Sequence, residues 1–244
     1  MTSAGGDERR GWALVTGAAR RLGRRTAWAL AEKGWDIVLH ARQEDDDLRQ
    51  TAEVVRALGG RVAVVQADLT RPEDVEALCA LGAKLDGPLT ALVNNAALFV
   101  PDTEDPDGSR HRGINLEVPL RLSAWIQERA ALHGNEAAIV NLLDGTEAPP
   151  TFQAYGASKQ ALRRATLDLA RTYAPRVRVN GVDPGPILPS PRESATHFQA
   201  LLEATPLRRP LPPEAVGEAV AFLLMNPALT GVILPVDGGA HLMR

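Results

Sequence analysis

The feature that most constrains the fold is a regular alternation of short apolar segments and longer amphipathic segments along nearly the whole chain. Seven short segments rich in Val, Ile, Leu and Ala are typical of buried strands: residues 12–16, 36–40, 61–66, 89–93, 137–143, 177–182 and 231–236. Helical patterns lie between them, and a helix that joins two strands returns the chain to the same end of a sheet. The alternation therefore predicts an α/β fold, with a doubly wound parallel sheet of about seven strands and helices on both faces.

The predicted helices cover residues 22–33, 46–58, 72–84, 109–132 and 213–225, with another that begins near Tyr155. Gly34 and Gly59 follow two of them, as glycine often does at a helix end. Pro119 predicts an irregularity inside the helix over 109–132. No repeat, linker or low-complexity segment interrupts the pattern, so residues 11–244 form one predicted domain after a flexible polar tail at 1–10.

Residues 184–213 break the alternation. They contain eight prolines around one short amphipathic piece, residues 197–203. A long excursion of this kind in a compact domain is often a lid or a binding loop, so we predict that it contacts a substrate. An ordinary surface connection is the alternative.

Composition argues against several classes of function. The net charge is -3 with acids and bases interspersed, so no electrostatic surface for nucleic acid is expected. No apolar run approaches the length of a membrane span. The five histidines are scattered without metal-ligand spacing, so we predict no metal site. The single cysteine, Cys79, cannot form an internal disulfide, which indicates a reducing, cytoplasmic location.

A glycine turn between the first strand and the first helix is a candidate phosphate-binding site. It spans Thr16–Gly23 and opens a helix, whose backbone N–H groups can face a pyrophosphate. The second strand ends at His40-Ala41-Arg42, and no acid to hold a ribose 2′-hydroxyl appears before Glu44. Arg20 and Arg42 would instead attract a 2′-phosphate, so the pattern predicts NADPH. A plain turn with solvated surface arginines is the alternative.

Two more strand ends fall where a dinucleotide would lie. Asp68-Leu69 follows the third strand, at the expected adenine end. Asn94-Asn95-Ala96-Ala97 follows the fourth strand, where short side chains allow a cofactor to approach closely.

Tyr155 and Lys159 form a candidate proton-transfer site. Residues four apart on a helix lie on one face. A lysine ammonium beside a phenol favours the phenolate, so we expect Lys159 to lower the pKa of Tyr155 and make it a general acid or base near neutral pH. Asp144 adds a carboxyl group at a strand end, where an open α/β sheet binds its ligands. A surface tyrosine and lysine on an ordinary helix are the alternative.

Together these motifs resemble the short-chain dehydrogenase/reductase family along nearly the whole chain, from Gly11 to Leu242. They occur in the family's order: Thr16-Gly17 to Gly23, Asp68, Asn94-Asn95-Ala96, Asn115, Tyr155-x-x-x-Lys159, Pro184-Gly185 and Val236-Asp237-Gly238-Gly239. The resemblance implies a Rossmann-like fold, a small-molecule substrate and a homotetramer built on the late helices and the last strand.

A narrower resemblance is to pteridine reductases, NADPH-dependent members of the family that act on pterins and sometimes folates. Arg21 stands where a middle glycine is usual in the first turn. Asn141-x-x-Asp144 matches their strand end, where the wider family usually has a catalytic serine. Phe99 occupies the place of a phenylalanine that stacks the pterin against the nicotinamide.

The resemblance also implies a site, residue by residue. The implied catalytic residues are Asp144, Tyr155 as proton donor, Lys159, and Asn115, which would support a water chain to the lysine. The implied substrate contacts are Arg21, Phe99, Asp144 and Tyr155. The implied cofactor contacts are Gly17, Arg20, Arg21, Leu22, Gly23, His40, Ala41, Arg42, Asp68, Leu69, Asn95, Ala96, Tyr155, Lys159, Pro184, Gly185 and Ile187.

Three functions stay open at this point. The first is NADPH-dependent reduction of a pterin, with a proton from Tyr155. The second is reduction of a carbonyl compound or a 3-oxoacyl thioester. The presence of Asp144 in place of the usual serine argues against this function. The third is NADP(H) binding without catalysis, suggested by the missing serine and by the short distance of eleven positions from Asp144 to Tyr155. Ala97 and Leu98 also replace serines that are usual in pteridine reductases.

Overall fold

Seven parallel strands form one sheet at the centre of the structure, a computed structural model that describes residues 9–82, 84–145, 148–190 and 194–243. The strands are β1 Trp12–Val15, β2 Asp36–Ala41, β3 Val62–Gln66, β4 Leu89–Asn94, β5 Ala137–Leu142, β6 Val177–Pro184 and β7 Ile233–Val236. Their order across the sheet is β3-β2-β1-β4-β5-β6-β7. All neighbouring pairs are parallel, which confirms the predicted α/β fold class.

Eight helices connect the strands in the described part of the chain. They are α1 Arg21–Glu32, α2 Asp46–Ala57, α3 Pro72–Gly82, α4 Ser109–Arg112, α5 Val118–His133, α6 Gln153–Tyr173, α7 Ala195–Glu203 and α8 Glu214–Met225. Short 3-10 turns lie at Asp102–Glu104 and Ala240–Met243. Each predicted helix is present, and α7 covers the short amphipathic piece of the predicted substrate loop.

The two faces of the sheet bury separate apolar cores. Ala13 and Val15 of β1 face one core, with residues of α1, α2 and α8. Trp12 and Leu14 face the other, with residues of α3, α5 and α6. Side chains alternate between the faces of a strand, so a strand covered on both sides must be apolar throughout. This is why the strands appear in the sequence as continuous apolar runs.

The predicted irregularity near Pro119 is a π turn at Gly113–Glu117, between α4 and α5. It precedes the proline, which takes the second position of α5. Proline is tolerated in the first turn of a helix, where its missing N–H has no intrahelical partner. The proline therefore marks the restart of the helix, and the wider turn lies just before it.

The strand order reverses beside β1, because β2 and β3 lie on one side of it and β4 to β7 on the other. In an open parallel sheet, ligands bind outside the carboxyl ends of the strands at this switch point. The ends of β1, β4, β5 and β6 therefore define where a site is expected.

The described chain begins with two anchored arginines. Arg9 forms an ion pair with the buried Asp36, Nε to Oδ1 2.6 Å, and Arg10 donates to the carbonyl of Lys33 at 2.9 Å. Both fall within the predicted flexible tail, residues 1–10, and the other residues of that tail lie outside the described ones. Among the residues described, no helix is long and apolar enough to cross a membrane.

Candidate active site

The Thr16–Gly23 turn lies at the carboxyl end of β1 and depends on two glycines. Gly17 has a φ of +65°, in the left-handed region that favours glycine. A Cβ at Gly23 would lie 2.2 Å from the Gly17 carbonyl oxygen and 2.5 Å from Asn95 Nδ2. The backbone is packed too closely here for a side chain at Gly23, so the turn and the start of α1 form a tight backbone cradle. This cradle fits the pyrophosphate of a dinucleotide.

Residues from the end of β4 brace this turn. Asn95 Nδ2 donates to the carbonyls of Thr16 at 2.7 Å and Gly17 at 3.1 Å. The backbone N–H groups of Asn95 and Ala96 both donate to Thr16 Oγ1 at 3.0 Å. Asn95 and Ala96, both predicted to contact the cofactor, thus use these N–H donors to hold the turn. A contact with the cofactor would have to use their other atoms.

The buried side chain of His40, in β2, also supports the glycine turn. Its Nδ1 accepts from the Gly17 backbone N–H at 3.1 Å, and its Nε2 lies 3.0 Å from the Ala67 carbonyl. A carbonyl can only accept, so the ring is neutral with its proton on Nε2. Burial lowers the pKa of His40, opposed by the hydrogen bond to Ala67 and by the charge of Asp68. The side chain predicted to contact cofactor is therefore a buried link between the turn, β2 and β3.

The two arginines predicted to attract a 2′-phosphate differ in their surroundings. Arg20 forms ion pairs with Asp45, the N-cap of α2, and with Asp47. Its charge is therefore already balanced by acids that follow β2. Arg42 is exposed, and its charge lowers the pKa of Asp68, after the larger effect of hydrogen bonds from Thr70. Arg42 is the better placed of the two to meet an added phosphate.

Arg21 links the glycine turn to the predicted substrate loop. Its φ is +54°, where a glycine would be unstrained. Its guanidinium donates from Nη1 to the Pro189 carbonyl at 2.9 Å and from Nη2 to the Leu188 carbonyl at 3.3 Å. Residues 191–193 of the predicted loop lie outside the described residues.

The remaining predicted cofactor contacts also sit at strand ends. Asp68 caps a turn after β3, where its Oδ1 accepts from the N–H of Thr70 at 3.0 Å. A Cβ at Gly185 would lie 2.6 Å from Asp237 Cα, so this turn after β6 also requires glycine. Of the four other predicted contacts, three are buried, Ala41 at the end of β2, Leu69 after β3 and Ile187 after β6, and Leu22 in α1 is half-buried.

Asp144, Tyr155 and Lys159 meet at the carboxyl end of β5. The Tyr155 hydroxyl donates to Asp144 Oδ2 at 2.7 Å, and Lys159 Nζ donates to the Leu142 carbonyl at 2.9 Å. The start of α6 is held by Asp102, which accepts from the N–H of Gln153 at 2.9 Å. The short connection therefore still brings the tyrosine onto the carboxylate. Residues 146–147 of that connection lie outside the described part.

The predicted lowering of the Tyr155 pKa is wrong. Burial raises it well above its ordinary value, and the charges of Asp144 and Asp183 raise it further. Lys159 Nζ lies 6.0 Å from the centre of the tyrosine ring and donates to a backbone carbonyl. Burial lowers the pKa of Lys159 to about 8, against the opposite influence of Asp144 and Asp183. A neutral phenol beside a carboxylate is thus the form that this geometry favours.

Asn115 lies in the π turn and reaches toward α6. Its Oδ1 accepts from the Leu98 N–H at 2.7 Å, while its Nδ2 donates to the Leu98 carbonyl and to Ser158 Oγ, each at 3.0 Å. Ser158 in turn donates to the Tyr155 carbonyl at 2.7 Å. The side chain therefore ties the segment before Phe99 to the helix that carries the tyrosine.

Aromatic rings form one wall of the site. Phe99 stacks on Phe152 with ring centres 4.5 Å apart, and meets Tyr155 edge-on at 4.7 Å. His111 is buried behind the tyrosine at 6.2 Å, and its Nδ1 lies 2.6 Å from Asp105 Oδ2. Phe99 is about one third exposed (36%), which leaves part of the ring for a flat ligand.

Sequence patterns did not reveal Phe152, His111 with Asp105, or Asp183 with Arg163. Arg163 could have been noticed, because it lies on the helix face of Tyr155 and Lys159 at a further step of four. The others come from separate segments, and no local spacing marks them. Asn141 of the recognised motif is buried and lies away from the site, where it accepts from Asn94 Nδ2 at 2.8 Å.

Comparison with known proteins gives a consistent set of relatives. The family model described as "Enoyl-(Acyl carrier protein) reductase" matches residues 17–241. An uncharacterised oxidoreductase of Mycobacterium tuberculosis is 34% identical, over 93% of this chain and 90% of its own. Glucose 1-dehydrogenase of Gluconobacter oxydans is 31% identical, over 94% and 91%.

One solved structure is that of FolM alternative dihydrofolate reductase 1 from Brucella canis, complexed with NADP. It is 34% identical to this chain with a TM-score of 0.87, covering 96% of this chain and 94% of its own. Within the described ranges of the present chain, no group of three or more His, Cys, Asp or Glu side chains could hold a metal ion.

Proposed function

The chain belongs to the short-chain dehydrogenase/reductase family, a family of oxidoreductases, and from this premise we propose that it is an NADPH-dependent reductase of pterins. The substrate class would be dihydrobiopterin- or dihydrofolate-type compounds. Support comes from the resemblance to pteridine reductases in Arg21, Phe99 and Asn141-x-x-Asp144, and from the similarity to an alternative dihydrofolate reductase that binds NADP.

The hydrogen bond of 2.7 Å from the Tyr155 hydroxyl to Asp144 Oδ2 carries the proposal. A carboxylate only accepts hydrogen bonds, whereas a serine hydroxyl both donates and accepts. The edge of a pterin ring offers N–H donors as well as acceptors, so a carboxylate suits it better than it suits a ketone oxygen. The partly exposed ring of Phe99 lies beside this pair and suits a flat heterocycle.

Tyr155, Asp144 and Lys159 would each have a separate role in the reduction. Tyr155 is a neutral phenol near neutral pH, and burial and Asp144 raise its pKa further, so its proton is present when the substrate binds and would pass to a ring nitrogen. Asp144 orients the hydroxyl and accepts from the substrate. Lys159 places a positive charge beneath them and would hold the nicotinamide ribose. A bound nicotinamide cofactor supplies the hydride.

The preference for NADPH rests on Arg42. A 2′-phosphate is held best by a guanidinium whose charge is not already balanced. Arg20 is paired with Asp45 and Asp47, so we assign the phosphate contact to Arg42 and a secondary role to Arg20. We further propose a homotetramer, on the family resemblance alone, and a cytoplasmic location, on the single cysteine Cys79.

A second candidate is reduction of a carbonyl compound or an acyl thioester. Support comes from glucose 1-dehydrogenase and from a protein of Streptomyces violaceoruber that is described as a ketoacyl reductase and is 32% identical to this chain. Such substrates need a donor to a single oxygen, which Tyr155 supplies. They leave no role for the carboxylate of Asp144.

The deciding experiment is steady-state oxidation of NADPH and NADH with a substrate panel. The panel holds a dihydropterin, dihydrofolate, several ketones and a 3-oxoacyl thioester. We expect turnover with the dihydropterin or dihydrofolate, and a lower KM for NADPH than for NADH. Turnover confined to ketones or thioesters would remove the pterin assignment. NADPH binding without turnover of any substrate would indicate a binding protein.

Asp144→Ser is the matched variant for the substrate class. It restores the side chain usual in the wider family and keeps a polar group near Tyr155. We expect pterin turnover to fall and any ketone turnover to be kept or increased. Equal losses on both substrate classes would mean that Asp144 acts on the fold and not on substrate choice.

A further inference from the structure

A second buried carboxyl group lies behind the proton-transfer site, near the carboxyl end of β6. Asp183 is 8% exposed and accepts from Arg163 Nη1 at 2.7 Å through its Oδ2. Its other oxygen, Oδ1, is buried and has no hydrogen-bond partner among the residues that the structure describes. A buried carboxylate with one unpaired oxygen is costly, so its position beside a catalytic site calls for a functional reason.

Arg163 lies on the catalytic face of α6. Tyr155, Lys159 and Arg163 follow each other at steps of four, which places them on one side of the helix. That side meets the carboxyl ends of β5 and β6, which carry Asp144 and Asp183. The helix thus presents three proton-bearing side chains to two carboxylates.

The carboxylate of Asp183 also packs against the turn that carries Asp144. A Cβ at Gly145 would lie 2.2 Å from Asp183 Oδ2 and 2.7 Å from Oδ1. A side chain at this position would have to displace the Asp183 carboxylate, because the backbone next to Asp144 packs directly against it. A change in the position of Asp183 is therefore transmitted to Asp144 and to the Tyr155 hydroxyl that binds it.

We propose that Asp183, held by Arg163, is a positioning residue of the proton-transfer site. It supports the turn that carries Asp144, and its negative charge keeps Tyr155 and Lys159 in their protonated forms. This inference rests on the proposed function in one respect, that Tyr155 is the proton donor.

The charges around the site set the sign of the expected effect. Asp144 at the end of β5 and Asp183 in β6 face Tyr155 and Lys159. Arg163 lies on the same helix as these two residues. Near the tyrosine ring lies His111 of α4, which is paired with Asp105 in the segment before that helix. Asp183 raises the pKa of both Tyr155 and Lys159. Removing its charge must therefore make both groups lose their protons at lower pH.

The test uses the absorbance of tyrosinate as the pH is raised. The chain has two tyrosines, so a Tyr173→Phe background leaves Tyr155 as the only one that titrates. In this background, Asp183→Asn should lower the titration midpoint of Tyr155 by on the order of one pH unit. The loss of kcat/KM at high pH should move to lower pH in the same variant.

Two further variants separate positioning from general stability. Asp36→Asn removes another buried carboxylate, which pairs with Arg61 Nη2 at 2.5 Å at the opposite end of the sheet. It should lower Tm and leave the Tyr155 midpoint in place. Arg163→Lys keeps the positive charge, so its midpoint should stay close to that of the parent.

An unchanged Tyr155 midpoint in folded Asp183→Asn, or an equal shift in Asp36→Asn, would overturn the proposal. If Asp183→Asn does not fold, a double variant with Arg163→Leu removes both charges, and a fall in the same direction but of smaller size is expected, because the opposing charge of Arg163 is lost as well. A shifted midpoint in a protein that reduces no pterin would refute the proposed function and leave this inference standing. Pterin turnover with an unshifted midpoint would refute this inference alone.

Discussion

Tyr155 holds its proton because of where it is buried and what it touches. Its hydroxyl donates to Asp144 and its ring packs against Phe99, so the charged phenolate would meet a carboxylate and an apolar wall. Both effects favour the neutral phenol. The side chain therefore holds the proton that the proposed reduction would transfer to the substrate.

Replacing Tyr155 with phenylalanine tests this role directly. Loss of a positioned general acid usually slows a reaction by about 100-fold or more, so kcat should fall by at least that factor. NADPH affinity, measured by quenching of tryptophan fluorescence, should stay the same. Tyr173→Phe on the same helix is the control and should keep kcat. Retained turnover in Tyr155→Phe would remove this residue from the acid role.

His40 makes the glycine turn sensitive to acid. Its pKa is lowered in the folded protein, so the unfolded chain binds the proton more readily and stability rises with pH. The stability contribution is complete above the ordinary value of 6.5 and is lost as pH falls toward the folded pKa. Protonation would also break the bond from the Gly17 N–H to Nδ1.

Below the ordinary pKa of His40, the free energy of unfolding should therefore fall by up to about 1.4 kcal/mol per pH unit, and the affinity for NADPH should fall as well. His40→Asn keeps an acceptor near the Gly17 N–H and does not titrate, so its pH dependence should be flatter. The exposed His133 is the control, and His133→Asn should behave like the parent. Parallel curves for His40→Asn and the parent would exclude the histidine as the source.

Among the helices, α1 and α8 form the most extensive contact, and they pack side by side on one face of the sheet. Gly217 of α8 allows the approach, because a Cβ there would lie 2.8 Å from the Arg25 carbonyl oxygen and 3.0 Å from Ala29 Cβ. The N-terminal part of α1 forms the phosphate cradle. The close contact with α8 therefore fixes the helix that would bind the cofactor.

Gly217→Ala should destabilise the protein by about 1–3 kcal/mol, because the added methyl group meets backbone that cannot move away. Gly113→Ala is the matched control, since a Cβ at Gly113 meets nothing within 4 Å and its φ is not positive. It should be neutral or stabilising by up to about 1 kcal/mol. Urea unfolding of both variants measures the difference. Equal stabilities would show that α8 can shift without cost.

On the scale of the whole molecule, the carboxyl ends of β1 to β6 bring together two sites that are far apart in the sequence, the phosphate cradle and the Asp144–Tyr155 pair. The phosphate cradle and Arg42 follow β1 and β2, and Asp144 with Tyr155 lies at the end of β5, on the other side of β4. A dinucleotide that spans them would hold both halves of the sheet together. Binding should then stabilise the whole domain and not a single element.

NADPH at 100 times its Kd should raise the free energy of unfolding by about 2.7 kcal/mol. Arg42→Ala should remove most of the difference between NADPH and NADH in a thermal shift experiment, because it removes the proposed 2′-phosphate contact. Arg49→Ala, an exposed arginine paired with Asp46 in α2, is the control. An unchanged preference in Arg42→Ala would transfer the contact to Arg20.

The sequence by itself predicted what depends on local patterns. Strands buried on both faces must be apolar, so seven apolar runs predicted seven strands, and glycines with positive φ or no room for a Cβ marked the first turn. The spacing of four between Tyr155 and Lys159 predicted that they share a helix face.

Tertiary structure alone decided which groups face each other. It paired Arg20 with Asp45 and set Asp183 against Arg163, and it turned the expected fall in the pKa of Tyr155 into a rise. Electrostatic effects depend on distance in space and on burial, and both arise only when separate strands and helices come together. The sequence therefore named Tyr155 as the candidate proton donor, and only the fold decided that burial and two carboxylates favour its neutral form.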